Sequence, residues 1–241
     1  ALHLASLGCR IAIHANESEE QANATAATIA QQHDVTAMVT IGSLDDESVP
    51  ERLVKETTDE FGRIDILVNS AAIWHPTRLE DVTADELRKY YDVNTVGSFL
   101  CARAAGMHMA DQPTGGAIIN IGDWATVRPY HDHAAYFPSK GAIEVMTRSL
   151  AVELSQRNPQ IRVNCIQPGP VLLASDVDDD RAKMIANSTL GGRVGTAHHI
   201  AHAVQFLCEN DFVTGVCLPV DGGRTIYARD GLQTEIETGN S

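Results

Sequence analysis

Six short apolar runs alternate with helix-length segments along most of the chain, and this alternation limits the possible folds more than any other feature. Residues 9–14, 35–41, 64–69, 117–121, 162–166 and 216–220 have strand length and are rich in Val and Ile. Polar-faced stretches at 19–32, 48–61, 84–108, 134–155 and 197–209 have helix length. Thr83-Ala-Asp-Glu86 has capping-box spacing and marks one helix start. Strands that are apolar on both faces and separated by helices predict a parallel sheet covered on both sides. Right-handed crossovers then predict a doubly wound α/β domain. With no repeat, linker or low-complexity stretch, the 241 residues read as one domain over 1–227 and a tail over 228–241.

Charge and cysteine usage narrow the function. A net charge of −14 repels a phosphate backbone, which argues against nucleic-acid binding. No apolar run reaches the roughly 20 residues of a membrane span. Five scattered cysteines, Cys9, Cys101, Cys165, Cys208 and Cys217, lack metal-type spacing and read as reduced cytoplasmic thiols. The chain starts with Ala1, and residues 1–8 read as a helix tail closed by Gly8, so a preceding segment is expected. Residues 171–190, with Asp176 and the run Asp178-Asp179-Asp180, form a polar insertion suited to a mobile lid; the acidic run reads as a solvated face or a metal site. His198 and His202 have a spacing that can bind zinc but lack a third ligand, so no metal site is assigned.

In a doubly wound sheet the ligand sits at the carboxyl ends of the strands. Those ends carry His14-Ala-Asn16, Gly42-Ser43, Asn69-Ser-Ala-Ala72, Gly122-Asp-Trp124 and Gln167-Pro-Gly169. Tyr136 and Lys140 stand four residues apart, on one helix face. A nearby ammonium is expected to draw the phenol down from its usual pKa of about 10, giving a proton donor and acceptor for hydride chemistry. Pro138 fits only the first helical turn, which puts Tyr136 at the helix start. His131 and His133 are candidates for the substrate mouth.

These residues, taken in order, resemble the short-chain dehydrogenase/reductase family from Ala1 to about Tyr227. Asp65-Ile-Leu-Val-Asn69 is similar to its fourth strand and Val93-Asn94-Thr95 to its catalytic Asn segment. Tyr136 and Lys140 match its catalytic pair, and Arg162-Val-Asn-Cys-Ile-Gln-Pro-Gly169 its sixth strand. Val220-Asp-Gly-Gly223 matches its last strand. The resemblance implies a Rossmann-type fold and hydride transfer with NADP(H), or alternatively NAD(H). It implies a cofactor site of Asn16, Ser18, Ser43, Leu44, Asn69, Ala71, Tyr136, Lys140, Pro168 and Gly169. Pro168 and Gly169 would shape the nicotinamide pocket by close backbone approach, and Asn94 would anchor a water relay behind Lys140. It also implies a homotetramer built through the helices beginning near Ala84 and Ala134. The family's first strand and glycine-rich phosphate turn are absent, and about 20–25 upstream residues are expected to hold them.

Two departures point to the substrate. Asp123 stands where the family has a carbonyl-polarising Ser, and an ionised carboxylate only accepts hydrogen bonds. That suits a substrate offering N–H donors, or else marks lost carbonyl-reductase activity. Trp74 stands where pteridine reductases carry an aromatic that stacks on the pterin, or else it is a plain cleft hydrophobe. Asp123, Tyr136 and Trp74 are therefore the expected substrate contacts, and Asp123, Tyr136, Lys140 and Asn94 the expected catalytic set. The resulting expectation is a pteridine reductase acting on a dihydropterin. The rivals are a carbonyl or 3-oxoacyl-[acyl-carrier protein] reductase and a non-catalytic cofactor-sensing relative.

Overall fold

A computed structural model describes residues 1–173 and 177–227; Asp176 and the predicted tail lie outside them. The elements follow in the order α1 (Leu2–Ser6), β1 (Ile11–Ala15), α2 (Glu19–His33), β2 (Ala37–Ile41), α3 (Val49–Phe61) and β3 (Ile66–Asn69). Then come α4 (Ala84–Tyr90), α5 (Ser98–Ala110), β4 (Gly116–Ile121), α6 (Tyr136–Ser155), β5 (Ile161–Pro168), α7 (Asp179–Asn187), α8 (Ala197–Glu209) and β6 (Cys217–Val220). All six expected strands form, and every pairing among them is parallel.

Strand residues alternate between two apolar layers. Ile118, Val163 and Cys165 face α3, α5 and α6 through Val54, Ala105, Ile143, Met146 and Leu150. Ala117, Ile119 and Ile166 face α8 through Val204 and Leu207, and Leu4 of α1 joins that layer. Together these layers give the expected doubly wound sheet with helices on both faces. Glycines close the helices where the pattern predicts. Gly8 (φ 87°) follows α1, and Gly62 (φ 75°) ends α3 by donating to the Thr58 carbonyl at 2.8 Å. Pro219 lies in β6, an outer strand, where a missing N–H costs no ladder bond on the open side.

The sheet is split. β1 pairs only with β2, while β3, β4, β5 and β6 form a separate ladder. The edges of β1 and β3 face each other across a cavity of about 830 Å³ lined by Ile11, Ile13, Ile66 and Val68. Their starts are tied by Arg10, which donates to the Phe61 carbonyl at 2.8 Å. Their ends are tied through Leu44, which packs on Gly97 beside Ser98, whose carbonyl accepts from Asn69 Nδ2 at 3.0 Å. Both edges thus run in the same direction.

Three local expectations change. The predicted helix over 84–108 is broken into α4, a π-helical segment (Tyr91–Gly97) and α5. Gly97 there lies so close to Leu44 that an added Cβ would come within 2.7 Å of the Leu44 Cβ. Thr83 caps α4 by accepting from Glu86 N at 3.1 Å, but the Glu86 carboxylate accepts from Thr77 Oγ1 instead of completing the box. Within the predicted lid, the acidic run starts α7. Asp178 accepts from Arg181 N at 2.7 Å, and Asp179 and Asp180 lie in the first turn, where the helix dipole favours negative charge.

Candidate active site

Tyr136 opens α6, with Pro138 in the first turn where its missing N–H is harmless, and Lys140 follows one turn later. Asp123 follows β4 directly after Gly122. That position has to be small, since a Cβ on residue 122 would meet Cys165 Sγ at 2.9 Å. Asp123 divides its carboxylate. Oδ1 accepts from Ala125 N at 2.8 Å and starts a single 3-10 turn, while Oδ2 accepts from the Tyr136 hydroxyl at 2.8 Å.

The Tyr136 phenol does not move toward phenolate as the Lys140 spacing suggested. Burial first, then the Asp123 charge and hydrogen bond, push its pKa well above the usual range. Lys140 is only 5% exposed, and its Nζ donates to the Ile121 carbonyl at 2.7 Å. Burial lowers its pKa, opposed by Asp123 and Cys165.

Asn94, in the π-helical segment, is 1% exposed and acts as a clamp. Its Oδ1 accepts from Ile73 N at 2.8 Å; its Nδ2 donates to Ile73 O at 3.2 Å and to Ser139 Oγ at 3.1 Å. These bonds fix the loop that carries Trp74 onto α6. Trp74 stacks on His133 with ring centroids 4.8 Å apart and planes 22° apart. It is 53% exposed. His133 Nδ1 bonds to the His131 carbonyl at 2.8 Å; its Nε2 is buried without a partner among the described residues. Tyr130 packs edge-on against both His133 and Phe137.

The sequence reading missed Tyr130 and the stacking of Arg224 over Trp124, 4.3 Å from guanidinium carbon to ring centroid. The only signal was the density of aromatic and histidine residues between Trp124 and Phe137. His198 and His202 gain a third neighbouring imidazole, His3, whose Nε2 is bonded to Gln205 Oε1 at 2.8 Å. Among the described residues no three His, Cys, Asp or Glu side chains converge to hold a metal ion.

The predicted cofactor residues divide into open and committed positions. Asn16 and Ser18 are exposed beyond β1, and Ser18 stands at the N-cap of α2 with its hydroxyl unused in capping. Ser43 lies beyond β2 and Ala71 is exposed in the loop after β3. Leu44, expected to offer a backbone contact, has its side chain buried with Val49, Leu53 and Cys101. Asn69 is a strut: besides Ser98 it donates to Asn120 Oδ1 at 2.9 Å, and Asn120 donates to Thr147 at 2.9 Å. Pro168 ends β5. Gly169 does serve a close backbone approach, but to the chain's own Asp221, whose Cα would lie 2.5 Å from an added Cβ.

The test of fit to a dinucleotide is Lys140. A buried ammonium with one acceptor is under-satisfied, and it suits a ligand offering hydroxyl acceptors. The 830 Å³ cavity lies beside this chemistry, for none of Tyr136, Asp123 and Lys140 lines it.

A buried lysine and a buried tyrosine at the strand ends of a doubly wound sheet define an NAD(P)-dependent oxidoreductase. Residues 1–225 match the family model described as Enoyl-(Acyl carrier protein) reductase. The chain belongs to the short-chain dehydrogenase/reductase family. It is 35% identical to the oxidoreductase YohF of Escherichia coli, over 92% of this chain and 88% of that protein. It is 30% identical to a 3-oxoacyl-[acyl-carrier-protein] reductase of Synechocystis, over 94% of this chain and 91% of that one. Among solved structures, a Serratia marcescens short-chain dehydrogenase/reductase variant aligns with a TM-score of 0.83 at 29% identity, covering 92% of this chain and 90% of its own.

Proposed function

We propose that this enzyme reduces a C=N bond in a flat ring system that also carries N–H donors, as found in a dihydropteridine. The observation that carries the reading is the Tyr136 hydroxyl donating to Asp123 Oδ2 at 2.8 Å. A ring system that has both an acceptor nitrogen and N–H donors suits that pair: the nitrogen of the C=N bond accepts from Tyr136 and an N–H of the same ligand donates to Asp123. A plain carbonyl offers Asp123 nothing and leaves a carboxylate against its oxygen.

The nicotinamide dinucleotide, when bound, supplies the hydride that reduces the substrate carbon. Tyr136 gives its proton to the adjacent nitrogen as the π bond opens, and a solvent proton restores the phenol. Because burial and Asp123 keep the phenol neutral, Tyr136 enters the reaction as the acid. Lys140 would hold the ribose hydroxyls and offset the charge left on the phenolate, and Trp74 would carry the flat ring. Asn94 acts indirectly, by holding the Trp74 loop.

The sequence favours NADP(H). Glu17, with Glu19 and Glu20 in the first turn of α2, instead opposes a 2′-phosphate at Asn16 and Ser18 and supports NAD(H) as the preferred cofactor. A lower KM for NADH than for NADPH is expected, reversed by Glu17→Arg. We also propose that a further strand, leading into a phosphate-binding turn, sits between the facing edges of β1 and β3. Exposed Tyr91, Phe99 and Met107, together with Val145 and Val152 on α6, support a homotetramer, which light scattering tests. Free thiols at all five cysteines agree with a cytoplasmic location. No helix among the described residues is long and apolar enough to cross a membrane.

The reading is tested by following reduced-cofactor absorbance with dihydropterin and, separately, with a 3-oxoacyl thioester. Pterin-dependent oxidation is expected, reduced at least about 100-fold in Tyr136→Phe. Asp123→Ser should lose the pterin reaction and gain the thioester one. Oxidation with the thioester alone overturns the pteridine reading in favour of the carbonyl reading, to which the Synechocystis relative lends support.

A further inference from the structure

Among the described residues Arg224 is a cation without an anion, placed at the rim of the reducing site. It is half-buried, and its guanidinium lies over the Trp124 ring at 4.3 Å, one residue from Asp123. Among the described residues it takes part in no hydrogen bond through its side chain and in no ion pair. The charged and titratable groups near it are Tyr130, Arg128, Asp123 and Asp221. Both carboxylates are committed elsewhere. Asp123 serves Ala125 N and Tyr136, and Asp221 accepts from Gly223 N at 2.9 Å and Thr225 N at 2.6 Å.

The segment bearing Arg224 is held in place. Gly222 (φ 65°) and Gly223 (φ 80°) turn the chain after β6, and Arg128 donates to the Arg224 carbonyl at 2.6 Å and to the Tyr227 carbonyl. Burial works against the charge of a guanidinium that has stacking but no hydrogen-bond acceptor.

We propose that Arg224 binds a carboxylate on the substrate, with Trp124 packing against the flat body that carries it. The proposal rests on the reading of Tyr136 and Asp123 as the reducing site. A planar, single negative charge fits best. The guanidinium fork matches a carboxylate, whereas a dianionic phosphate would meet the Asp123 and Asp221 charges nearby. The specificity is therefore for an anionic member of the substrate class, set at a point separate from the atoms that react.

The test uses 7,8-dihydropterin-6-carboxylate and its neutral 6-carboxamide as reducible probes, with calorimetric titration of the non-reducible tetrahydropterin-6-carboxylate. In the unaltered protein the KM for the amide should exceed that for the carboxylate by about tenfold, one charge-assisted contact. Arg224→Gln should bring the ratio to about one, Arg224→Lys should restore part of it, and thermal melting should show both variants folded. An unchanged ratio in Arg224→Gln overturns the proposal. So does a cofactor KM that rises equally with both probes, which would assign the cation to the dinucleotide. If neither probe is reduced, the titration separates the two readings: binding of the tetrahydropterin carboxylate lost in Arg224→Gln upholds the anion site while the reduction reading fails, and no binding in the unaltered protein overturns the anion site.

Discussion

Asp123 is where a single residue changes the chemistry available to this fold. One of its oxygens closes a 3-10 turn and the other receives the Tyr136 proton, so the carboxylate is both a structural cap and part of the acid. Its charge raises the Tyr136 pKa after burial has already done so. Removing that charge in Asp123→Asn should therefore bring the phenol down. Activity that needs a protonated Tyr136 is present below its pKa and lost above it, so the alkaline limb of the kcat/KM profile should move to lower pH. A pH profile of the two proteins checks this, and an unmoved limb would mean that Tyr136 is not the group being titrated. The identity of Asp123, Tyr136 and Lys140 could be read from the sequence. The sequence left the phenol between two opposed neighbours, Lys140 favouring phenolate and the Asp123 carboxylate opposing it; packing decided the direction by burying Tyr136 and putting its hydroxyl against Asp123.

Among the elements, the π-helical segment (Tyr91–Gly97) does most to position the site. The extra residue in its turn is associated with Asn94 reaching across to Ile73 and Ser139, and such bulges commonly accompany functional positions. Asn94→Ala would orphan the Ile73 N–H and remove the tie to α6. A loss of about 2 kcal/mol is expected in denaturant titration, with several buried bonds each contributing around 1 kcal/mol. Because Trp74 follows Ile73, its fluorescence anisotropy should fall as the loop loosens, before global unfolding. An unchanged anisotropy would show that His133 stacking alone holds the indole. Periodicity located one long helix over 84–108 but had no way to find this break, since a π turn depends on a partner in another segment. The 3.6-residue pattern also had little to detect in α7, a short exposed helix started by Asp178 within a polar stretch.

For the molecule as a whole, the open seam between β1 and β3 dominates. β4 and β5 have neighbours on both sides and form the centre of both apolar layers, while β1 and β3 each leave one edge facing the cavity. Hydrogen exchange on the 241-residue chain should therefore be slowest in β4 and β5 and fast at the cavity-facing amides of β1 and β3. If a strand seats there, as proposed, its supply in a longer chain should bring those amides to the protection of β4. Equal protection without it would show that the seam is already closed in solution. The buried chain Asn69–Asn120–Thr147 and the apolar layer from Val54 to Leu150 hold the four-stranded half together without the seam.

What the sequence determined by itself was whatever is encoded by local pattern. Runs of Val and Ile of strand length, the helix stop at Gly8, and the Pro138 constraint on Tyr136 gave the element order, the parallel doubly wound sheet and the strand ends where chemistry gathers. Only the tertiary structure decided what depends on two distant segments meeting. The Asn69 side chain meets Asn120, 51 residues on, and the Leu44 side chain packs against Cys101 of α5. Gly169 answers to Asp221, and Arg224 finds Trp124 a hundred residues back along the chain. Periodicity reports which face a residue presents; the partner on that face is set by packing, and packing is a property of the folded whole.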